Sequence, residues 1–272
     1  MARDAGQAES CSDVGHDASL IEVFFSSQGE GPEVGRSTVF VRFGGCDLRC
    51  RWCDTPQSWR RSSTCRIETD AGLGRFEQRD NPIPVAELTD IAMSLATNAS
   101  TWISLTGGEP LMQPAAVARL ARELRERGQR VYLETHGLHE RALSECVENV
   151  DLVSMDWKLT SDVDWGPDDR SRSGGDFHDA HESFLRTATQ AGNVYVKVVV
   201  TPNTLDEELD EMIARITAVS SDIPLIIQPV TPTGGVSARP APEKLLAWLT
   251  RAEQRLTDVR LIPQTHPIYG VL

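Results

Sequence analysis

The stretch VRFGGCDLRCRWCDTP, Val41 to Pro56, crowds Cys46, Cys50 and Cys53 into a loop opened by Gly44 and Gly45. The spacing is C-x3-C-x2-C. Thiolates bind soft metals, and two metals compete for this loop. A structural zinc ion closes a tetrahedron of four ligands, so zinc would need a further thiolate, for which Cys65 is the candidate. A [4Fe–4S] cluster usually takes four cysteines. Three would leave one iron open to a small ligand. Spacing alone keeps both metals in play.

Outward from the loop, LIEVFFSS (20–27) and STVFVRF (37–43) carry the branched and aromatic residues of strands. The turn between them, QGEGPEVG, is rich in glycine. Residues 57–82 show no period, and an insertion or flap is expected there. From Pro84 a rhythm begins. Helices are predicted over 84–97, 115–128, 138–148, 179–191, 204–219 and 242–256. The second presents Val117, Leu120, Ala121 and Leu124 on one face. Thr204 and Glu207 suit a capping box. Strands are predicted over 101–106, 130–135, 150–156, 194–201, 223–230 and 258–264. A polar stretch fills 160–179.

Strand–helix alternation of this kind predicts an α/β fold with a parallel sheet and helical crossovers. The apolar strands suit a sheet covered on both faces. There are too few βα units for a closed eight-stranded barrel. The expected architecture is therefore a partial, open βα barrel with outer helices. One domain, 19–272, should follow a polar, disordered tail over 1–18. The unusual motifs all lie at the carboxyl ends of strands: the cysteine loop, TGGEP (106–110), ETHG (134–137), SMDWK (154–158) and QPVT (228–231). That edge is where parallel α/β folds bind ligands.

The chain has 272 residues, 40% hydrophobic and 25% charged, with a net charge of −13. This acidic balance repels nucleic acid and favours a small-molecule substrate. Arg49, Arg51, Arg60 and Arg61 form a local basic cluster, read as a solvated loop face. No apolar run suits a membrane span or a signal peptide, so a cytoplasmic location is expected. Cys146 reads as a core residue and Cys11 as incidental.

C-x3-C-x2-C with Trp52 before the last cysteine resembles the cluster loop of radical S-adenosylmethionine (SAM) enzymes, and TGGEP resembles their SAM-binding glycine motif. The match with FFSSQGEGPEVGRSTVFVRFGGCDLRCRWCDTP, and with TGGEPLMQ, ETHG, SMDWK, IQPVT and PQTH, is closest to the 7-carboxy-7-deazaguanine synthase family. The resemblance implies that Cys46, Cys50 and Cys53 hold a [4Fe–4S] cluster whose free iron binds SAM. It implies a SAM site lined by Trp52, Gly108, Glu109, Thr135, Ser154, Asp156, Lys158, Gln228, Pro229, Val230 and Thr231, with Glu109 facing the methionine ammonium. It places a pterin substrate against Ser27, Gln28, Gly29, Glu30, Arg42, Thr106, His266 and the Leu272 carboxylate, with Arg42 clamping the substrate carboxylate. It puts Mg2+ on Thr55. Pro267 departs from the family pattern, where lysine is frequent.

The implied reaction turns 6-carboxy-5,6,7,8-tetrahydropterin into 7-carboxy-7-deazaguanine by hydrogen abstraction, ring contraction and loss of ammonia. The implied partners are a one-electron reductant of flavodoxin or ferredoxin type and a second copy of the chain. Neither nucleic acid nor membrane is expected to bind. Two other readings share some features. A glycyl-radical-enzyme activase shares the cysteine spacing and GGEP but not QGEG or C-D-T. A zinc-bearing scaffold would explain the thiols but none of the rim motifs.

Overall fold

The computed structural model describes residues 17–167 and 177–271. The tail through residue 16 with Cys11, the 168–176 part of the polar stretch and Leu272 lie outside the described residues. In chain order the elements are β1 (Asp17–Ala18), β2 (Leu20–Ser27), β3 (Ser37–Phe43), β4 (Leu48–Cys50), β5 (Thr64–Glu68), β6 (Phe76–Asp80), β7 (Ile83–Pro84) and α1 (Val85–Leu95). Then come β8 (Trp102–Gly107), α2 (Pro114–Glu126), β9 (Arg130–Thr135), α3 (Glu140–Ser144), β10 (Leu152–Asp156), β11 (Val163–Trp165) and α4 (His178–Ala188). The chain continues with β12 (Val194–Val200), α5 (Asp206–Val219), β13 (Leu225–Pro229), α6 (Pro242–Glu253), β14 (Val259–Leu261) and α7 (His266–Tyr269).

Ten strands form one sheet in the order β14-β13-β12-β10-β9-β8-β3-β2-β5-β6. Every neighbour pair from β14 to β3 is parallel. β2 runs antiparallel to β3, and β5 is parallel to β2. The end strands β14 and β6 do not pair with each other, so the sheet is open, as expected for a partial barrel.

Alternation along the strands divides the residues between two faces. Ile103, Leu105, Val131, Leu133, Val196 and Val198 point to the helices. They pack with Leu88 of α1, Leu120 and Leu124 of α2, and Leu209 and Ile213 of α5 in the main core. Full burial of each such leucine stabilises the fold by about 1.5–3 kcal/mol. The alternate positions make an apolar floor of Trp102, Tyr132, Leu152, Tyr195 and Ile226. One step further along the same strands, the same face becomes polar: Ser104, Glu134, Ser154, Lys197 and Gln228. That change from floor to rim positions the site.

Five local features differ from the expectations or add to them. Asp17–Ala18 belongs to no tail: it pairs with β7, and Ala18 is buried. Within the insertion or flap expected over 57–82, β5 and β6 form a hairpin that extends the main sheet. Their period is obscured because Cys65 and Ile67 are the buried apolar residues there, with Ala71 packed beside the core. The helix predicted over 138–148 is cut to α3 and a short 3-10 turn at Val147–Asn149. Leu138 instead packs beside Leu48, Val163 and Phe177. Thr204 makes no capping box: its Oγ1 accepts the Thr201 N–H at 2.9 Å, and the helix starts at Asp206. Within the polar stretch, β11 pairs antiparallel with β4 of the cysteine loop.

Candidate active site

The cysteine loop is fixed from several sides. The Gly44 N–H donates to Ser19 O at 2.9 Å, and the Gly45 N–H to Ser58 O at 2.8 Å. The β4–β11 pairing sets Cys50 opposite Val163. The Arg51 N–H donates to Asp162 O at 3.1 Å. Arg49 donates to the carbonyls of Cys46 and Leu48 and stacks its guanidinium 4.7 Å over Trp59. Trp52 packs on Val199, Val230 and Val236.

The glycine segment lies against this loop. The Gly108 N–H donates to Phe43 O at 3.0 Å, and the Glu109 N–H to Gly45 O at 2.8 Å. A Cβ on Gly108 would overlap Gly45 O and come within 2.7 Å of Ser58 O. Glycine is therefore needed for backbone-to-backbone contact with the cysteine loop as well as for an open cleft wall. Glu109 is fully buried behind that wall. Its Oε1 accepts from Leu111 N at 3.0 Å and Thr135 Oγ1 at 2.8 Å, and its Oε2 from His136 N at 2.9 Å.

A charged set crosses the cleft. The Lys197 ammonium donates to Glu30 and lies 3.2 Å from Asp156. Lys158 donates to Asp156 at 2.7 Å, and Gln228 to Glu30 at 2.9 Å. Burial alone would push Asp156 up, but the two ammoniums hold it below the usual carboxylate range. Glu134 accepts from Gln28 at 3.2 Å and from Ser104. Burial raises Glu134, and the nearby Glu30 charge adds to this, against the opposing Ser104 bond. Arg42 donates through Nε to Glu22 at 2.9 Å, and Arg66 braces the other oxygen of Glu22. The Thr55 hydroxyl donates to Asp54 at 2.7 Å, and Gln264 reaches the second Asp54 oxygen at 3.2 Å.

Of the expected site residues, the cysteines, Trp52, Thr55, Gly108, Thr135, Ser154, Asp156, Lys158, Gln228 and Thr231 line one cleft with Gln28, Glu30, Arg42, Thr106 and His266. Ser27, Gly29, Glu109, Pro229 and Val230 are not part of its lining. Gly29 has a bracing role: its carbonyl accepts the Thr265 N–H at 2.9 Å, and a Cβ there would strike the His266 ring. His266 Nε2 lies 3.1 Å from Ser27 O. Leu272 is outside the described residues. Sequence reading missed Lys197, Glu134, Asp54, Gln264 and His136 of the lining.

The thiols fit a cluster better than zinc. Burial pushes Cys46 up to about 12 and Cys50 up to about 11, and neighbouring negative charges add to the rise at Cys46. A metal that binds Cys46 and Cys50 displaces their protons. Zinc–sulfur bonds of about 2.3 Å would draw the sulfurs to within about 3.8 Å of one another. Among the described residues the three sulfurs do not form a set within 4.8 Å; the set that does is Asp47, His136 and His139. Cys65 is packed into the core on β5, away from the cleft. The zinc reading thus lacks its further thiolate.

An open, mostly parallel sheet with three thiols and a glycine segment at its carboxyl edge suits a radical SAM enzyme, and residues 40–216 match the Radical SAM superfamily. The chain is 38% identical over 258 residues to 7-carboxy-7-deazaguanine synthase of Geobacter sulfurreducens, spanning 94% of this chain and 98% of that protein. It is 31% identical over 256 residues to 7-carboxy-7-deazaguanine synthase of Methanocaldococcus jannaschii, spanning 92% and 99%. The chain belongs to the 7-carboxy-7-deazaguanine synthase family. The crystal structure of QueE from Escherichia coli shares the fold, with a TM-score of 0.59 and 21% identity over 92% of this chain and 95% of that one. No helix among the described residues is long and apolar enough to cross a membrane.

Proposed function

We propose that the chain converts 6-carboxy-5,6,7,8-tetrahydropterin to 7-carboxy-7-deazaguanine, with loss of ammonia, in 7-deazapurine and queuosine biosynthesis. One observation carries the reading: among the described residues three thiols, without a fourth, meet the QGEG turn and the C-D-T threonine in a single cleft. When bound, the cluster and SAM supply the radical chemistry, and the protein binds, orients and excludes water. Thr135, Ser154, Asp156, Lys158 and Gln228 hold SAM beside the cysteines. Glu109 steadies that wall by fixing Thr135 and the His136 amide. Arg42, steadied by Glu22, has further N–H donors for the substrate carboxylate. Gln28, Glu30 and Glu134 offer donors and acceptors to a polar bicyclic ring.

Mg2+ at Thr55 is part of the proposal, supported by the Asp54 carboxylate beside the hydroxyl, a second hard oxygen donor. So are a flavodoxin- or ferredoxin-type reductant, a cytoplasmic location and a homodimer, for which exposed Leu246, Ile268 and Tyr269 offer apolar surface. The test is anaerobic incubation of the reconstituted enzyme with the pterin, SAM, Mg2+ and a reductant, read by mass spectrometry. The deazaguanine product is expected; its absence with an intact cluster would sink the reading. Thr55→Ala should change the Mg2+ concentration that half-saturates activity, and an unaltered Mg2+ response refutes that metal site.

A further inference from the structure

Directly after β9, the segment ETHGLHE spaces two histidines three residues apart. The fold brings both rings onto Asp47 of the cysteine loop. Asp47 Oδ1 lies 2.9 Å from His136 Nε2, and Oδ2 lies 3.1 Å from His139 Nε2. The donor atoms of these three residues all lie within 4.8 Å of one another. Glu109 Oε2 approaches from the glycine segment, 3.4 Å from His136 Nε2.

The backbone holds each donor in place. Asp47 O accepts the Gly166 N–H at 2.5 Å. The His136 N–H donates to Glu109 Oε2 at 2.9 Å, and the His136 carbonyl lies 3.0 Å from His181 Nε2. Gly137 turns the chain at a φ of 71°, where a Cβ would meet Met155 at 2.8 Å. His139 O accepts the Leu143 N–H at 3.0 Å and so opens α3.

The side chains of Asp47, His136 and Glu109 are 2%, 4% and 0% exposed. Buried charges are paired or coordinate metals. Among the described residues, the ion-pair partners of both carboxylates are these imidazoles. A divalent ion balances two carboxylates while both rings stay neutral, the form in which imidazole ligates. Zinc binds imidazole nitrogen at about 2.0–2.1 Å and carboxylate oxygen at about 2.0–2.2 Å, so its tetrahedral donors stand about 3.4 Å apart. The spacings of 2.9, 3.1 and 3.4 Å reach that with shifts of about half an ångström or less.

We propose that Asp47, His136 and His139 bind one divalent transition-metal ion, zinc by the chemistry of the donors, with Glu109 completing the set. The ion ties the cysteine loop to the glycine segment and to the turn after β9. The site uses no cysteine, so it stands apart from the cluster reading of the thiols.

The test gives zinc to the reconstituted holoenzyme, removes the excess by gel filtration, and counts zinc, iron and sulfide per chain. Zinc K-edge X-ray absorption then reads the atoms around the ion. One zinc per chain is expected beside the cluster, in a nitrogen and oxygen shell at about 2.0–2.2 Å. Loss of even an outer partner of a ligand costs about 10–100-fold in metal affinity, so His139→Ala should bind zinc at least about tenfold more weakly. Asp47→Asn should do the same, and either variant suffices if the other does not fold. No zinc retained by the loaded enzyme overturns the proposal and leaves protons shared between Asp47 and the rings. A sulfur shell at about 2.3 Å overturns it too, by placing zinc on the thiols. So does wild-type affinity in His139→Ala. A chain that takes up no iron or sulfide sinks the radical SAM reading alone, and the zinc shell still decides this site.

Discussion

Replacing Lys197 with methionine probes the charged set at the cleft. Lys197 is 6% exposed. Its ammonium serves Glu30 and Asp156 together. Methionine keeps the length of the side chain and removes the charge, leaving two half-buried carboxylates short of one cation. Breaking a buried pair by removing one partner costs about 3–5 kcal/mol. Here Asp156 keeps Lys158 at 2.7 Å and Glu30 keeps the Gln228 amide at 2.9 Å. The lower end, about 3 kcal/mol, is expected. At roughly 2–4 °C per kcal/mol for a domain of this size, the melting point should drop by about 6–12 °C. Urea unfolding of the metal-free chain measures the loss without interference from cofactors. The double variant Glu30→Gln/Lys197→Met removes one stranded anion and should recover about 1–2 kcal/mol, within the usual range of coupling energies. If Lys197→Met unfolds within about 1 kcal/mol of the wild type, or if the two changes are simply additive, the set is not one coupled unit.

Cys50→Ala should abolish the brown chromophore and SAM cleavage; retained cleavage would remove Cys50 from the ligand set. Gly108→Ala forces a Cβ against Gly45 O and Ser58 O and should cost about 1–3 kcal/mol, with lower iron loading; wild-type stability would mean that the two loops are not in contact. Ile67→Ala should cost about 2–5 kcal/mol in denaturant unfolding because the 57–82 hairpin shares the core, whereas a separable flap would barely register it. Asp156 has a folded pKa below its unfolded one. Its contribution to stability is therefore complete above the ordinary carboxylate range near pH ~4 and is lost as pH falls through the lower folded value. Asp156→Asn should flatten the acid limb of the stability–pH curve, and an unaltered slope would contradict this.

The main strands of the parallel sheet were readable because they are apolar runs, several of them ended by a recognisable motif, as with STVFVRF before the cysteine loop. The cluster ligands were readable because three thiols share one loop. Lys197 was harder. It sits within VYVKVVV, and a single lysine does not disturb an apolar period. Yet its parity with Tyr195 places it on the inner face, where a buried ammonium must find a carboxylate. Glu134 shares the inner parity of Tyr132 in the same way. Glu109 was seen in GGEP, but its partners Thr135 and His136 come from another strand and could not be read from local spacing. The 57–82 hairpin escaped because Arg66, Glu77 and Gln78 are exposed and FEQRD, its second strand, has no apolar alternation.

The hydrogen bond from Thr265 to Gly29 has a bearing on how the enzyme comes into being. It joins residues 236 positions apart, and the rim is drawn from both: Gln28 and Glu30 on one side, Gln264 and His266 on the other. Closing so long a loop adds entropy cost only logarithmically, so stability suffers little, but the order of events is constrained. A chain growing on the ribosome can lay down the helices and most of the sheet while the rim stays open. Only when residue 266 emerges can the cleft take its final outline. The thiols near residue 50 are thus made early and sheltered late, and the interval between is when an iron donor has the freest access to them.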